Sequence, residues 1–170
     1  MRLGLGGVVT PSTFNVRDNE VIDAKEVMRR VEELLPEAGG RVRVWCSIRQ
    51  VMMVTEDLLL NLRDLCLSKG LGITYHLGEY QGEIDHTLTK HGTRPPLEVL
   101  DRLGLTSIKP TVIAHAVYLS NRERAIVRDR GLGIAWCPTV DSLIMGGPHW
   151  LPMFDDVLFG LAVMVAHSQA

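Results

Sequence analysis

The chain has 170 residues, enough for one domain with a proper core and short for two. Apolar residues make up 46% and the formal net charge is -2, which reads as a soluble globular protein. That balance gives no electrostatic reason to expect nucleic acid or an anionic membrane as partner. No early run has the flanks of a secretory signal, and the apolar stretch 157–166 is too short to span a bilayer and is broken by Gly160.

Residues 3–10 form the first apolar run and the first candidate strand. Gly4-Leu5-Gly6-Gly7 looks like a dinucleotide loop, but Val9 takes the third glycine's place and no strand precedes it. Val21, Ile22, Ala24, Val27, Met28, Val31, Leu34 and Leu35 then make an apolar stripe at helical spacing, ended by Pro36 and Gly39-Gly40. A second strand is expected at 42–46. Thr55 can cap a helix whose first turn carries Glu56 and Asp57, and the helix runs to a stop at Gly70. A third strand, 72–76, leads into a polar stretch where His86 and His91 are expected to be solvated.

Pro95-Pro96 opens a helix ending near Gly104, and a strand follows at 111–116. Ser120 with Glu123 forms a capping box for a helix that ends at Gly131. Its arginines, from Arg122 to Arg130, alternate with Glu123 and Asp129 and read as a solvated face. Strands at 132–137 and 160–166 close the series. Trp45, Trp136 and the His149-Trp150 pair are expected to be packing residues.

These strands are nearly continuous in apolar residues, the pattern of strands covered on both faces. Alternation with helices predicts an α/β fold with a parallel sheet of about six βα units. That describes an open doubly wound sheet or part of a (β/α)₈ barrel of the triosephosphate isomerase type, which when complete takes about 250 residues. Residues 1–170 are expected to form a single domain, or a piece of one. Cys46, Cys66 and Cys137 have no metal-binding or Cys-x-x-Cys spacing, so buried free thiols and a reducing, cytoplasmic compartment are expected.

The informative polar residues are His76, Glu79 and His115. Each histidine ends an apolar run, and in a parallel α/β protein strand carboxyl ends form the rim where ligands bind. An imidazole there can ligate a divalent metal, and a carboxylate three residues on can move protons for an activated water. The plain alternative is a solvated histidine and a surface glutamate in an ordinary loop. The segment from Cys137 to Gly147 reads equally well as a connector.

Taken in order, His76-Leu77-Gly78-Glu79, His115-Ala116-Val117-Tyr118-Leu119 and Cys137-Pro138 with Leu143 and Gly146 resemble the amidohydrolase superfamily. The resemblance, from about residue 41 onward, is to the branch of chlorotriazine hydrolases and cytosine, guanine and adenosine-type deaminases. It implies a metal-dependent hydrolase acting on C–N or C–Cl bonds of a nitrogen heterocycle, with zinc or iron as cofactor. By that resemblance His76 is a metal ligand, Glu79 the proton shuttle, and His115 a partner of the activated water or the substrate.

The chain also departs from the pattern. No two histidines have the His-x-His spacing of the family's first strand, and Val140-Asp141 stands where Ser-Asn is usual. Val163-Met164-Val165-Ala166-His167-Ser168 replaces the last strand's metal-binding aspartate, with His167 as a possible substitute. These departures predict a truncated barrel with weak or absent metal binding. Two alternatives stand beside it: a non-catalytic fragment that self-associates through open sheet edges, and a small α/β binding module.

Overall fold

A computed structural model describes residues 6–17, 20–92, 94–143 and 157–162. The chain begins with β1 (Gly7–Val9), β2 (Val16–Arg17), β3 (Glu20–Val21) and α1 (Ala24–Glu32). It continues through β4 (Val42–Val44), β5 (Cys46–Ile48), α2 (Glu56–Lys69), β6 (Ile73–Leu77), α3 (Gln81–His91) and α4 (Pro96–Arg102). It closes with β7 (Thr111–His115), α5 (Asn121–Asp129), β8 (Gly133–Trp136), α6 (Pro138–Leu143) and β9 (Phe159–Leu161). Strands β5-β6-β7-β8-β9 make one parallel sheet in that order, β1 pairs with β4, and β2 with β3 forms a short antiparallel ribbon.

The expected α/β architecture is present, with two adjustments of strand and helix limits. The strand expected at 42–46 divides at Trp45: Val44 pairs with Val9, whereas Cys46 pairs with Ile73. The Trp45 ring lies over Gly72, where a Cβ would meet it at 2.5 Å, so only glycine fits there. The apolar stripe expected from Val21 enters its helix at Ala24, because Asp23 accepts the Lys25 N–H as a cap and Val21 is drawn into β3. Of the last expected strand, 160–166, the described part is β9; residues 163–166 lie outside the described residues, as do Gly4, His149, Trp150 and His167.

Along β6 and β7 side chains alternate in burial. Ile73, Tyr75, Leu77 and Ile113 are buried against α2, α4 and the turn beyond it, whereas Thr74, His76, Val112 and Ala114 on the other face are half-buried. For β6 and β7 the expectation of strands covered on both faces is therefore corrected, whereas Cys46, Ser47 and Ile48 of β5 are all buried. Leu58, Leu59, Leu62, Leu97, Leu100 and Leu105 complete the core, and the Tyr75 hydroxyl donates to the Leu105 carbonyl at 2.9 Å. Burying that many leucines, at about 1.5–3 kcal/mol each relative to exposure, is the main force holding helices to sheet.

Local chemistry fixes where the helices begin. The Leu58 N–H donates to Thr55 Oγ1, and Asn15 clamps that residue from outside through Thr55 N–H and Oγ1. The Ser120–Glu123 capping box forms as expected, and Glu123 also accepts the Leu97 N–H at 2.9 Å, joining the start of α5 to that of α4. Cys46, Cys66 and Cys137 are free and buried.

Candidate active site at the strand carboxyl ends

The rim is assembled by two loops that hold each other. After β6 the backbone turns left-handed at Gly78 (φ 63°), where a Cβ would sit 3.2 Å from Leu119. The Ala116 N–H donates to the Leu77 carbonyl at 3.0 Å, and the Tyr118 N–H to the Gly78 carbonyl at 2.9 Å. His115 and Ala116 themselves take positive φ values of 74° and 59°. Such a conformation costs a non-glycine residue about 1–3 kcal/mol and persists only where surrounding contacts enforce it.

This bend decides where the imidazole points. In strand register His115 lies opposite Leu77, and His76 lies opposite Ala114. The two rings nonetheless come together, with centroids 5.5 Å apart and planes tilted by 40°. His115 is fully buried and His76 half-buried. Burial, followed by the nearby Arg49 and His115, pushes the His76 pKa down to about 4, so the ring is neutral at neutral pH.

Glu79 is 3% exposed. Gln50 Nε2 donates to its Oε2 at 2.5 Å and Arg49 Nη1 to the same oxygen at 3.3 Å. Its other oxygen, Oε1, is 3.6 Å from His115 Nε2. Behind it, Glu83 on α3 accepts the Glu79 N–H at 3.0 Å, and burial pushes the Glu83 carboxyl up to about 7. His76 Nδ1 and His115 Nε2 are buried nitrogens with no hydrogen-bond partner among the described residues.

His115 Nδ1 lies 2.7 Å from Asp141 Oδ1, and Asp141 Oδ2 accepts the Cys137 N–H at 3.2 Å. Thus His76, Glu79 and His115, picked out in the sequence, share one small rim. Arg49, Gln50, Glu83 and Asp141 join them without having been singled out for it. The segment expected as a connector after β8 is the short helix α6, which brings Asp141 to full burial behind His115. Of the other histidines, His86 is exposed as expected and His91 is half-buried; both lie on α3, not on the rim. Trp136 packs its ring 6.0 Å from Phe159, in line with a packing role.

The amidohydrolase family model matches residues 1–159. The chain belongs to the amidohydrolase family. It is 31% identical over 125 residues to a 5-methylthioadenosine/S-adenosylhomocysteine deaminase of Natronomonas pharaonis, an alignment covering 74% of this chain and 28% of that protein. Among solved structures it resembles guanine deaminase from C. acetobutylicum with bound guanine (TM-score 0.79, 23% identity, covering 92% of this chain and 40% of that one). It also resembles atrazine chlorohydrolase from Arthrobacter aurescens TC1 complexed with zinc (TM-score 0.84, 18% identity, covering 95% and 38%). The likeness shows the fold, a partial (β/α)₈ barrel, and the chain spans well under half the length of these relatives.

Two sets of donors on this amidohydrolase rim bear on a divalent cation. His76 Nδ1 and His115 Nε2 are unpartnered imidazole nitrogens of the type zinc takes, so this side of the rim fits a cation. His115, Cys137 and Asp141 also lie within 4.8 Å of one another. There, however, Nδ1 and Oδ1 stand at the 2.7 Å of a hydrogen bond, whereas nitrogen and oxygen ligands about 2.0 Å from a tetrahedral zinc sit roughly 3.3 Å apart. Burial, and then Asp141, also push the Cys137 thiol up and disfavour thiolate. A proton suits that second cluster better than a metal.

Proposed function

We propose that this rim is the proton-transfer part of a hydrolytic site for deamination or dechlorination of a nitrogen heterocycle, impaired in the isolated chain by its shortage of metal ligands. The observation that carries the reading is Glu79: a buried carboxylate held on one oxygen by Gln50 and Arg49, with its other oxygen aimed toward His115. The family match supports it, as do relatives named as a deaminase of adenosine-type compounds, a guanine deaminase and a chlorohydrolase.

A divalent cation, zinc or iron, supplies Lewis acidity when bound, and His76 would hold it through Nδ1. Glu79 takes a proton from the attacking water and passes it to the leaving group, its position kept by two donors and by Glu83 beneath the loop. His115 holds the water or a polar atom of the heterocycle at Nε2. Three buried free thiols favour a reducing compartment, and a cytoplasmic location goes with this reading.

Only His76 matches a ligand position of the family, so the isolated chain binds metal weakly and below one per chain. It turns over no cytosine, guanine, adenosine-type or chlorotriazine substrate. Equilibrium dialysis against zinc with elemental analysis tests this. Binding should be substoichiometric, lost in His76→Ala and kept in Glu79→Gln. Binding indifferent to His76→Ala would remove His76 from the site. Nearly one tightly held zinc or iron per chain, or metal-dependent turnover lost in both variants, would show a working enzyme instead.

A second reading is favoured by β9, which ends the five-stranded sheet among the described residues and at or beside which Leu158 is 80% and Leu161 76% exposed. Unpaired apolar edge strands invite pairing between chains. The isolated chain is expected to self-associate, and light scattering giving a clean monomer at every accessible concentration would exclude this.

A further inference from the structure

Asp141 stands on the first turn of α6 with each carboxylate oxygen against a protein nitrogen. Oδ2 accepts the Cys137 N–H at 3.2 Å, while the Asp141 N–H donates back to the Cys137 carbonyl at 2.9 Å, closing one helical turn. Oδ1 lies 2.7 Å from His115 Nδ1, and both side chains are fully buried. A carboxylate in its ionised form only accepts hydrogen bonds, and against one the proton of this contact would belong to Nδ1. The ring's other nitrogen, Nε2, is the one turned toward Glu79.

We propose that Asp141 is a positioning residue that keeps a proton on His115 Nδ1 and thereby presents Nε2 to the rim as the nitrogen that accepts. A ligand would then meet His115 through a donor group, a water O–H or an amine N–H, and not through a carbonyl oxygen. The ligand part of this statement rests on the hydrolytic reading above; the proton's place on the ring does not.

The isosteric change Asp141→Asn exposes the logic. An amide offers one acceptor and one donor where the carboxylate offers two acceptors. With its oxygen kept on the Cys137 N–H, its NH₂ faces Nδ1 and drives the ring proton to Nε2. Turned the other way, the NH₂ would oppose the Cys137 N–H, two donors head to head in a buried place. The first arrangement wins, and the rim nitrogen changes from acceptor to donor.

Long-range ¹H–¹⁵N correlation spectra of the full chain, labelled at histidine and recorded near neutral pH without metal or substrate, read this directly. His115 is assigned by its loss in His115→Gln. The expected result is a protonated-type shift at Nδ1 together with a bare-type shift at Nε2 in the unmodified chain, and an exchange of the two nitrogen signatures in Asp141→Asn. A bare Nδ1 or two protonated nitrogens in the unmodified chain would overturn the proposal, as would an Asp141→Asn protein that keeps its proton on Nδ1. Loss of the Nδ1 proton on adding zinc would also overturn it, in favour of metal at the His115–Cys137–Asp141 cluster. The unmodified chain decides alone should Asp141→Asn not fold. Zinc stoichiometry and turnover do not enter this readout, so it and the hydrolytic reading fail separately.

Discussion

Two regions of the molecule are dense in charged side chains, and they are built on opposite principles. On the face shared by α4 and α5, Arg102 pairs with Glu56, Arg122 with Glu98 and Arg130 with Asp101. These arginines are 44%, 80% and 52% exposed, so water and salt screen every pair. At the rim, Glu79, His115 and Asp141 are almost wholly withdrawn from water, and two imidazole nitrogens have no partner among the described residues. Charge density alone therefore does not mark a site. Burial with unspent hydrogen-bonding capacity does, because such an arrangement costs stability that solvation of a surface pair never does.

Asp141→Ala should disturb the molecule most. It leaves His115 Nδ1 and the Cys137 N–H buried without their Asp141 partner, and should cost about 3 kcal/mol. A fall in the urea midpoint at unchanged slope would report it. A loss as small as that of a surface arginine would mean that the rim is no more demanding than the α4–α5 face.

Glu83 offers a test through pH. Its carboxyl sits at about 7 in the fold against an ordinary value of 4.5, with burial as the first cause. The folded state thus holds the proton more tightly than the unfolded chain. Stability from this group is fully present below its unfolded value and is lost as pH rises toward and through 7. The loss should reach about 3 kcal/mol at most, and Glu83→Gln should remove it. Urea unfolding of both proteins at several pH values would show the curves diverging above about pH 4.5; parallel curves would sink the prediction.

Smaller effects belong to the α5 side. Ser120→Ala removes an acceptor from the Glu123 N–H and should cost about 1 kcal/mol. Arg122→Ala should change stability by less than about 0.5 kcal/mol, since the pair with Glu98 is weak and open to solvent. Thermal unfolding of the two variants side by side would order them. A larger loss from Arg122 than from Ser120 would show that this face depends on its ion pairs and not on its cap.

Much of this protein was settled by local pattern. The strand–helix alternation, the Thr55 cap, the Ser120–Glu123 box and the placement of His76, Glu79 and His115 at strand ends all follow from residue order, because each depends on neighbours a few positions apart. Helix α3 escaped that reading because its buried face carries Glu83 and Thr87, so no apolar stripe announces it. The rim's inner machinery depends on contacts between distant parts of the chain. Gln50 and Arg49 reach Glu79 from another strand end, a left-handed bend carries His115 from its register partner Leu77 to the side of His76, and α6 sets Asp141 behind it. The hydrogen bonds among these residues join positions 26–30 apart, and no spacing rule reaches that far. They exist because the sheet brings strand ends side by side, and a buried polar group there must find its partner wherever the fold supplies one.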